Sequence, residues 1–385
     1  MQCQRDGKGV YLQGTETSPP RYAGGSSPED VSYLKNFEKA NIEIEKIYAF
    51  DINPVANCVY KLNFPSVEIV QRNIEALSLK YFEKLNADVW TMSPPCQPYT
   101  RQGNQLGSAD PRSKSFLFLV DLLGKIEKKP EFIILENVAG FEKSDSRKLF
   151  LTQLCKHNYT FEEFILNPLQ FGYPNSRTRY YLLASRVQNR PLKYSSFSLS
   201  PKFIYEIPGV SMVPPSKKLD SDLERSEILL EDLNFEKETW VEGFSHKISE
   251  FTDNLSEGEF KKYALPKKKL DSHGYVFDVV MPTSRRSCCF TKGYYHYNEG
   301  TGSVLQISGI VGVDDQTPEN TRYFTEYEIA RLLGFPSTFT FENATSENSN
   351  DKNCSVVTLK QRYRLLGNSL SVTVVSELFK YLFRK

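Results

Sequence analysis

In EFIILENV, residues 131–138, four consecutive apolar residues run into Glu136 and Asn137. A short apolar run that ends on polar groups has the pattern of a buried strand delivering those groups at its carboxyl end. The same pattern recurs on its amino-terminal side. KIYAFDIN (46–53) predicts a strand closing on Asp51, and helix NPVANCVYKLNF (53–64), strand VEIV (67–70), helix SLKYFEKL (78–85) and strand ADVWTMS (87–93) follow. Helix SFLFLVDLLGKIEK (115–128) then leads into 131–138 itself. Beyond it come helix RKLFLTQLCKH (147–157) and strands TFEEFIL (160–166) and RYYLLAS (179–185). Strands alternating with helices predict an α/β fold with a doubly wound, mostly parallel sheet, the Rossmann-like arrangement.

The alternation has limits. Residues 1–30 are rich in Gly, Ser, Pro and charge without a period and read as a poorly ordered tail. A helix-like VSYLKNFEKANI (31–42) opens the main domain, expected over 31–190. After Arg186 the pattern dissolves into polar, acidic and proline-bearing stretches such as 213–238, which predicts a second, smaller domain over 191–320. A helical EYEIARLLGF (326–335) and an apolar helix after Gly367 predict that 321–385 return to the first domain. A net charge of +1, with 39% hydrophobic and 25% charged residues, fits a folded chain and argues against a histone-like, nonspecific nucleic-acid binder. Seven cysteines without a C-x-x-C pair predict reduced thiols and no metal site. No signal-peptide core and no run of about 20 apolar residues is present, so the expectation is a cytoplasmic or nuclear protein away from membranes.

In a doubly wound sheet ligands bind outside the carboxyl ends of the strands. Asp51, Cys96 (in MSPPCQP) and Glu136 all lie there, and parallel strands would bring them to one crevice. Pro94 and Pro95 fix the backbone before Cys96, which suits a nucleophile. A thiolate is favoured by nearby cations, for which Arg101, Arg177 and Arg179 are candidates, against the bland reading of a buried structural cysteine. Glu136 is costly to bury without a partner or a task, although a helix cap or a lysine pair would also explain it. Arg177 and Arg179 alternate onto one face of an extended chain, where they hold an oxygen-rich ligand or form a solvated sheet edge.

SPPCQPYT (93–100), LENVAGFE (135–142), GYPNSRTRYYLLA (172–184) and QRYRLLGNSL (361–370) form an ordered set that resembles the cytosine-5 methyltransferases. CFTKGYYHYNEGTGSVLQ (289–306) resembles the branch of that superfamily associated with tRNA(Asp). The resemblance implies S-adenosylmethionine-dependent methylation of C5 of a flipped-out cytosine, cytosine 38 of the tRNA(Asp) anticodon loop in this family. It implies Cys96 as the nucleophile at C6, Glu136 on N3 and the exocyclic amine, and Arg177 with Arg179 on the O2 side and the glutamate. The loop from Thr100 to Ser115, holding two glycines, would close over the base. For the cofactor it implies Asp51 on the ribose, Ile52, Ile74 and Glu75 about the adenine, Ser93 beside the nucleophile, and Asn368 with Ser369. Arg101, Cys289, Phe290, Thr291 and Lys292 fall on the substrate side.

One departure stands against the family pattern. Its members begin with a strand and a glycine-rich turn similar to L-x-S-G-x-G-G, whereas the corresponding place here holds SSPEDVSYL (26–34), and Gly24 with Gly25 replace it poorly. The competing readings are therefore a cofactor-deficient RNA-binding relative and a DNA cytosine-5 methyltransferase. A nicotinamide oxidoreductase is disfavoured because no G-x-G-x-x-G follows a strand. The expected partner is tRNA, with Lys217, Lys218, Lys261, Lys262, Lys267 to Lys269, Arg285 and Arg286 facing phosphates and tyrosines nearby stacking on unpaired bases, in a monomeric enzyme.

Overall fold

The computed structural model describes residues 21–23, 46–95, 113–187, 192, 203–212, 244–309, 316–342 and 357–383. The strand read at 131–138 is β5 (Phe132–Val138), near the middle of an eight-stranded sheet. Before it come β1 (Arg21–Ala23), β2 (Lys46–Phe50), β3 (Glu68–Val70) and β4 (Val89–Met92), and after it β6 (Thr160–Leu166), β7 (Arg179–Ser185) and β8 (Phe203–Ile204). The spatial order is β3-β2-β1-β4-β5-β7-β6-β8. All neighbours pair in parallel except β7, which is antiparallel to both β5 and β6. The carboxyl ends of β2, β4 and β5 therefore share one edge. β7 starts at that edge because Arg179 pairs with Val138 at the end of β5.

Apolar runs sort onto two faces because side chains alternate along a strand. Ile133 and Leu135 of β5, Trp90 and Met92 of β4 and Tyr180 and Leu182 of β7 point to one face. There they meet α2 (Leu79–Leu85), α3 (Lys114–Lys125) and α4 (Asp145–Lys156). Phe132, Ile134, Val89, Tyr181 and Leu183 point to the other. That face is covered by α1 (Pro54–Asn63) and α9 (Val372–Leu382). The helices begin at readable signals: Asn53 caps α1 ahead of Pro54, and Ser78 and Ser144 cap α2 and α4. A third core holds a small sheet, β9 (Asp278–Val280), β10 (Ser303–Gln306) and β11 (Thr321–Tyr323), with α6 (Lys267–His273), α7 (Glu326–Leu332) and α8 (Leu359–Asn368); α5 (Glu257–Tyr263) lies against β11.

Four expectations change. Arg21–Ala23, read within the tail, form β1 between β2 and β4, pairing with Lys46–Tyr48 on one side and Val89–Trp90 on the other. Three residues are too few to show a period, so the sequence pattern could not reveal this strand. Residues 203–212, assigned to the second domain, stay with the first, since β8 pairs with β6 and Ile207 packs in its core. At the other boundary β11, α7 and α8 belong to the small core, and it is α9 that returns to the large sheet. Finally, Cys58 is disulfide-bonded, against the expectation of reduced thiols, whereas Cys155, Cys288 and Cys289 are free thiols. No helix among the described residues is long and apolar enough to cross a membrane.

Candidate active site

Glu136 sits near the carboxyl end of β5, buried among apolar neighbours. Its carboxylate accepts a hydrogen bond from Ser93 Oγ at 2.5 Å, from the turn that follows the adjacent strand β4. Its other oxygen lies 3.4 Å from Nε of Arg179 at the start of β7. Burying a carboxylate is tolerable because both partners are in place, one a guanidinium. Asn137, next along β5, places Nδ2 3.5 Å from the carbonyl of Pro94. The S-P-P turn is thus tied to β5 through two consecutive residues. Cys96 and Arg101, and most of the Thr100–Ser115 loop, lie outside the described residues; Cys96 follows this anchored turn by one residue.

Arg179 and Arg177 converge on a second thiol. Arg179 Nη2 lies 3.6 Å and Arg177 Nη1 3.2 Å from Cys289 Sγ. Burial pushes the Cys289 thiol up, but the two guanidinium groups outweigh it and hold the thiol below its ordinary range. Next to it, burial and the Asp278 carboxylate push Cys288 up to about 12. Arg177 does more than neutralise. It donates to the carbonyls of Phe290 (2.8 Å), Gly367 (3.3 Å) and Ser369, clamping the 289–290 segment to the end of α8.

The expectation that both arginines steady the base and the glutamate therefore divides: Arg179 reaches Glu136, whereas Arg177 holds main chain. Phe290, expected on the substrate side, is a core residue, its ring edge-on to Tyr294 at 5.1 Å and Phe324 at 5.4 Å. Thr291 donates its amide to Thr301 and helps close a loop, and Lys292 is half-buried beside it. An aromatic or a hydroxyl in a motif looks alike in sequence whether it faces a ligand or the core.

The residues expected around a cofactor ring the same edge. Asp51, buried just past β2, accepts from the Asn53 amide at 2.7 Å and is braced by Asn57, whose Nδ2 donates to the Asp51 carbonyl at 3.0 Å. Ile52 is half-buried, and Ile74 is buried at the head of the short 3-10 helix Ile74–Ala76 after β3. Glu75 is exposed and accepts from Ser115 Oγ at 2.9 Å. Asn368 ends α8, and Ser369 caps it, buried. Asn167, Asn175 and Ser287 were not foreseen. Asn167 caps the turn before β7, donates to Thr178 Oγ1 (2.9 Å) and accepts from the Arg177 amide (3.4 Å). Ser287 donates to the Pro174 carbonyl (2.7 Å), and Asn175 returns to Ser287 Oγ (3.4 Å). The asparagine in G-Y-P-N-S-R was visible in the sequence, but its partner lies more than a hundred residues away.

A buried carboxylate, a hydroxyl and a guanidinium at the carboxyl edge of a doubly wound sheet, behind a proline-stiffened turn that leads to a cysteine, are the makings of a nucleophilic group-transfer enzyme of the methyltransferase type. The model of the C-5 cytosine-specific DNA methylase family matches residues 35–384, and the chain belongs to that family. The human tRNA (cytosine(38)-C(5))-methyltransferase is 37% identical, covering 89% of this chain and 94% of that enzyme. The Dictyostelium discoideum DNA (cytosine-5)-methyltransferase is 35% identical over 90% of this chain and 89% of its own length. In structure, the S. pombe Dnmt2 methyltransferase superposes with a TM-score of 0.68 at 32% identity, covering 94% of this chain and 96% of that one.

Proposed function

We propose that this member of the family methylates C5 of a cytosine in tRNA, with Cys96 as the attacking thiol and the anticodon-loop cytosine 38 of tRNA(Asp) as the target. The observation that carries the reading is the Ser93–Glu136–Arg179 chain, at 2.5 and 3.4 Å, against the turn that leads to Cys96. The tRNA assignment rests on the 289–306 segment and on the name of the human relative.

The Cys96 thiolate adds to C6 of the extruded base, forming a C–S bond and moving electron density onto C5. Glu136, at the end of β5, hydrogen-bonds the N3 and amine edge, and Arg179 and Ser93 keep its carboxyl aimed there. Loss of the C5 proton to a base and expulsion of the Cys96 thiolate restore the aromatic ring. S-adenosylmethionine, when bound, supplies an electrophilic methyl group. The residues present fit it. Ser369 Oγ and Ser371 Oγ are buried with no hydrogen-bond partner among the described residues, Asp51 follows β2, and Ile74 follows β3. That combination suits a ligand with both polar and apolar parts. β1 also bears on the missing glycine turn, because Gly24 and Gly25 follow its last residue directly in the sequence.

The test is transfer of labelled methyl from S-adenosylmethionine to tRNA(Asp) transcript and to duplex DNA in parallel. Label is expected in the tRNA alone, none with Cys96→Ala, and at least about a hundredfold less with Glu136→Gln. Label confined to DNA would select the second reading, to which the Dictyostelium relative belongs by name.

A further inference from the structure

Beyond Cys289 the chain enters a loop, residues 291–302, that turns large aromatic side chains toward solvent. Tyr297 is 63% exposed and Tyr295 38% exposed, with His296 exposed between them. Single exposed aromatics need no explanation, but this loop is built to hold its own. Thr291 N donates to Thr301 O (2.9 Å), Tyr297 N to Gly293 O (2.9 Å) and Thr301 Oγ1 to Tyr297 O (3.0 Å). A Cβ on Gly302 would stand 2.6 Å from the Phe290 ring and 2.7 Å from Tyr294, so only glycine closes the loop there.

Tyr295 has φ of 71°, a left-handed backbone that a bulky residue rarely adopts. It is kept there by its ring, 4.9 Å from Tyr323 and 5.6 Å from Tyr363, which anchors one side of the loop in the small core. The strained turn throws the next two rings outward. Tyr297 leans over Gly293, within 3.0 Å of where a Cβ would be, and stands 4.6 Å from the His296 ring. Lys292 lies at the foot of the loop, and Lys269 packs on the same Tyr323, its Nζ 3.0 Å from the hydroxyl.

We infer that Tyr297, with His296 and Tyr295 beside it, is a stacking platform for unpaired nucleobases that flank the target cytosine in an RNA loop. Aromatic faces held rigid beside cations bind bases that have left their stack, because every base offers a π-face and its phosphate meets the ammonium. A closed duplex offers no such faces. The link to the target cytosine rests on the proposed reaction; the platform itself rests on the loop.

The experiment titrates the full-length protein with a fluorescent RNA stem-loop and with the same stem closed as a duplex. Tyr297→Ala should weaken stem-loop binding about tenfold and leave duplex binding unchanged. Tyr297→Phe should bind as the native chain does, and Tyr297→Leu, which keeps bulk without a ring, should behave as Tyr297→Ala. Equal stem-loop binding by Tyr297→Ala and the native chain overturns the platform, as does an equal loss on the duplex. Methyl transfer by the native chain is read in the same preparation. Transfer with binding indifferent to Tyr297 rejects the platform and keeps the reaction. Binding that depends on Tyr297 without any transfer keeps the platform and rejects the reaction.

Discussion

Cys288 and Cys289 are sequence neighbours whose thiols meet opposite fields. Cys289 faces two guanidinium groups at 3.2 and 3.6 Å, which overcome the effect of burial and favour its thiolate. Cys288 is buried near Asp278, and both influences favour its neutral thiol up to about 12. The signs for stability follow. Cys289 stabilises the fold above the ordinary thiol range and loses that contribution as pH falls through its lowered value. Cys288 contributes fully below its ordinary 9.0, and the contribution is lost as pH rises toward about 12. Alkylation of the folded protein, read by peptide mass spectrometry from about pH 6 to 10, should therefore modify Cys289 first and Cys288 scarcely at all. Earlier modification of Cys288 would show that the arginines do not control this pair. At this scale the sequence was informative where a residue type has few reasons to be where it is. Glu136 closing an apolar strand was one such residue, whereas Ser93 entered only through the family resemblance, as a cofactor neighbour and not as the hydroxyl that bonds Glu136. The sequence was uninformative for Arg177 and Phe290, whose roles depend on main chain at the end of α8 and on the rings of Tyr294 and Phe324.

Among the elements, α8 and the Cys289 loop meet backbone to backbone. A Cβ on Gly367 would lie 2.1 Å from the Thr291 carbonyl carbon and 2.2 Å from the Lys292 amide nitrogen, so the helix end rests directly on loop backbone. Backbone on both sides cannot swing away as a flexible side chain can. Gly367→Ala must lift α8 from the loop, and with it the Gly367 and Ser369 carbonyls that Arg177 binds. The expected cost is about 1–3 kcal/mol or more, a lowered thermal midpoint, and a methyl-transfer loss larger than an equally destabilising change on the far side of the sheet gives. Unchanged melting and activity would mean that the helix end can shift freely. The G-N-S motif entered the site only through the family resemblance, whereas α8, which carries it, begins at the Thr358 cap. The reason for its glycine was not legible, because it is a tertiary contact between segments some seventy residues apart. Chain direction was also hidden. RYYLLAS reads as a strand in either orientation, and only the sheet shows that β7 runs backwards and so delivers Arg179 to the edge where Glu136 ends.

For the whole molecule, what matters is where the amino-terminal segment goes. β1 lies between β2 and β4, so among the described residues Arg21–Ala23 are the strand that joins the half of the sheet carrying Asp51 to the half carrying Ser93 and Glu136. The family match begins at residue 35, beyond this strand, and composition gave the first thirty residues the look of a poorly ordered tail. The two views predict different outcomes for a chain lacking residues 1–30. A tail can be removed without effect on folding. A central strand cannot, because its loss exposes the ladders of both β2 and β4 and leaves two edges that pair with other chains. Deletion of 1–30 should therefore yield aggregated protein or a broad, non-cooperative melting transition. Tyr22→Pro in the intact chain should act in the same direction, since Tyr22 pairs with Ile47 and Val89 and proline removes a ladder donor. A truncated chain that melts as sharply as the full one, at the same temperature, would return these residues to the tail and leave β2 and β4 to meet without them.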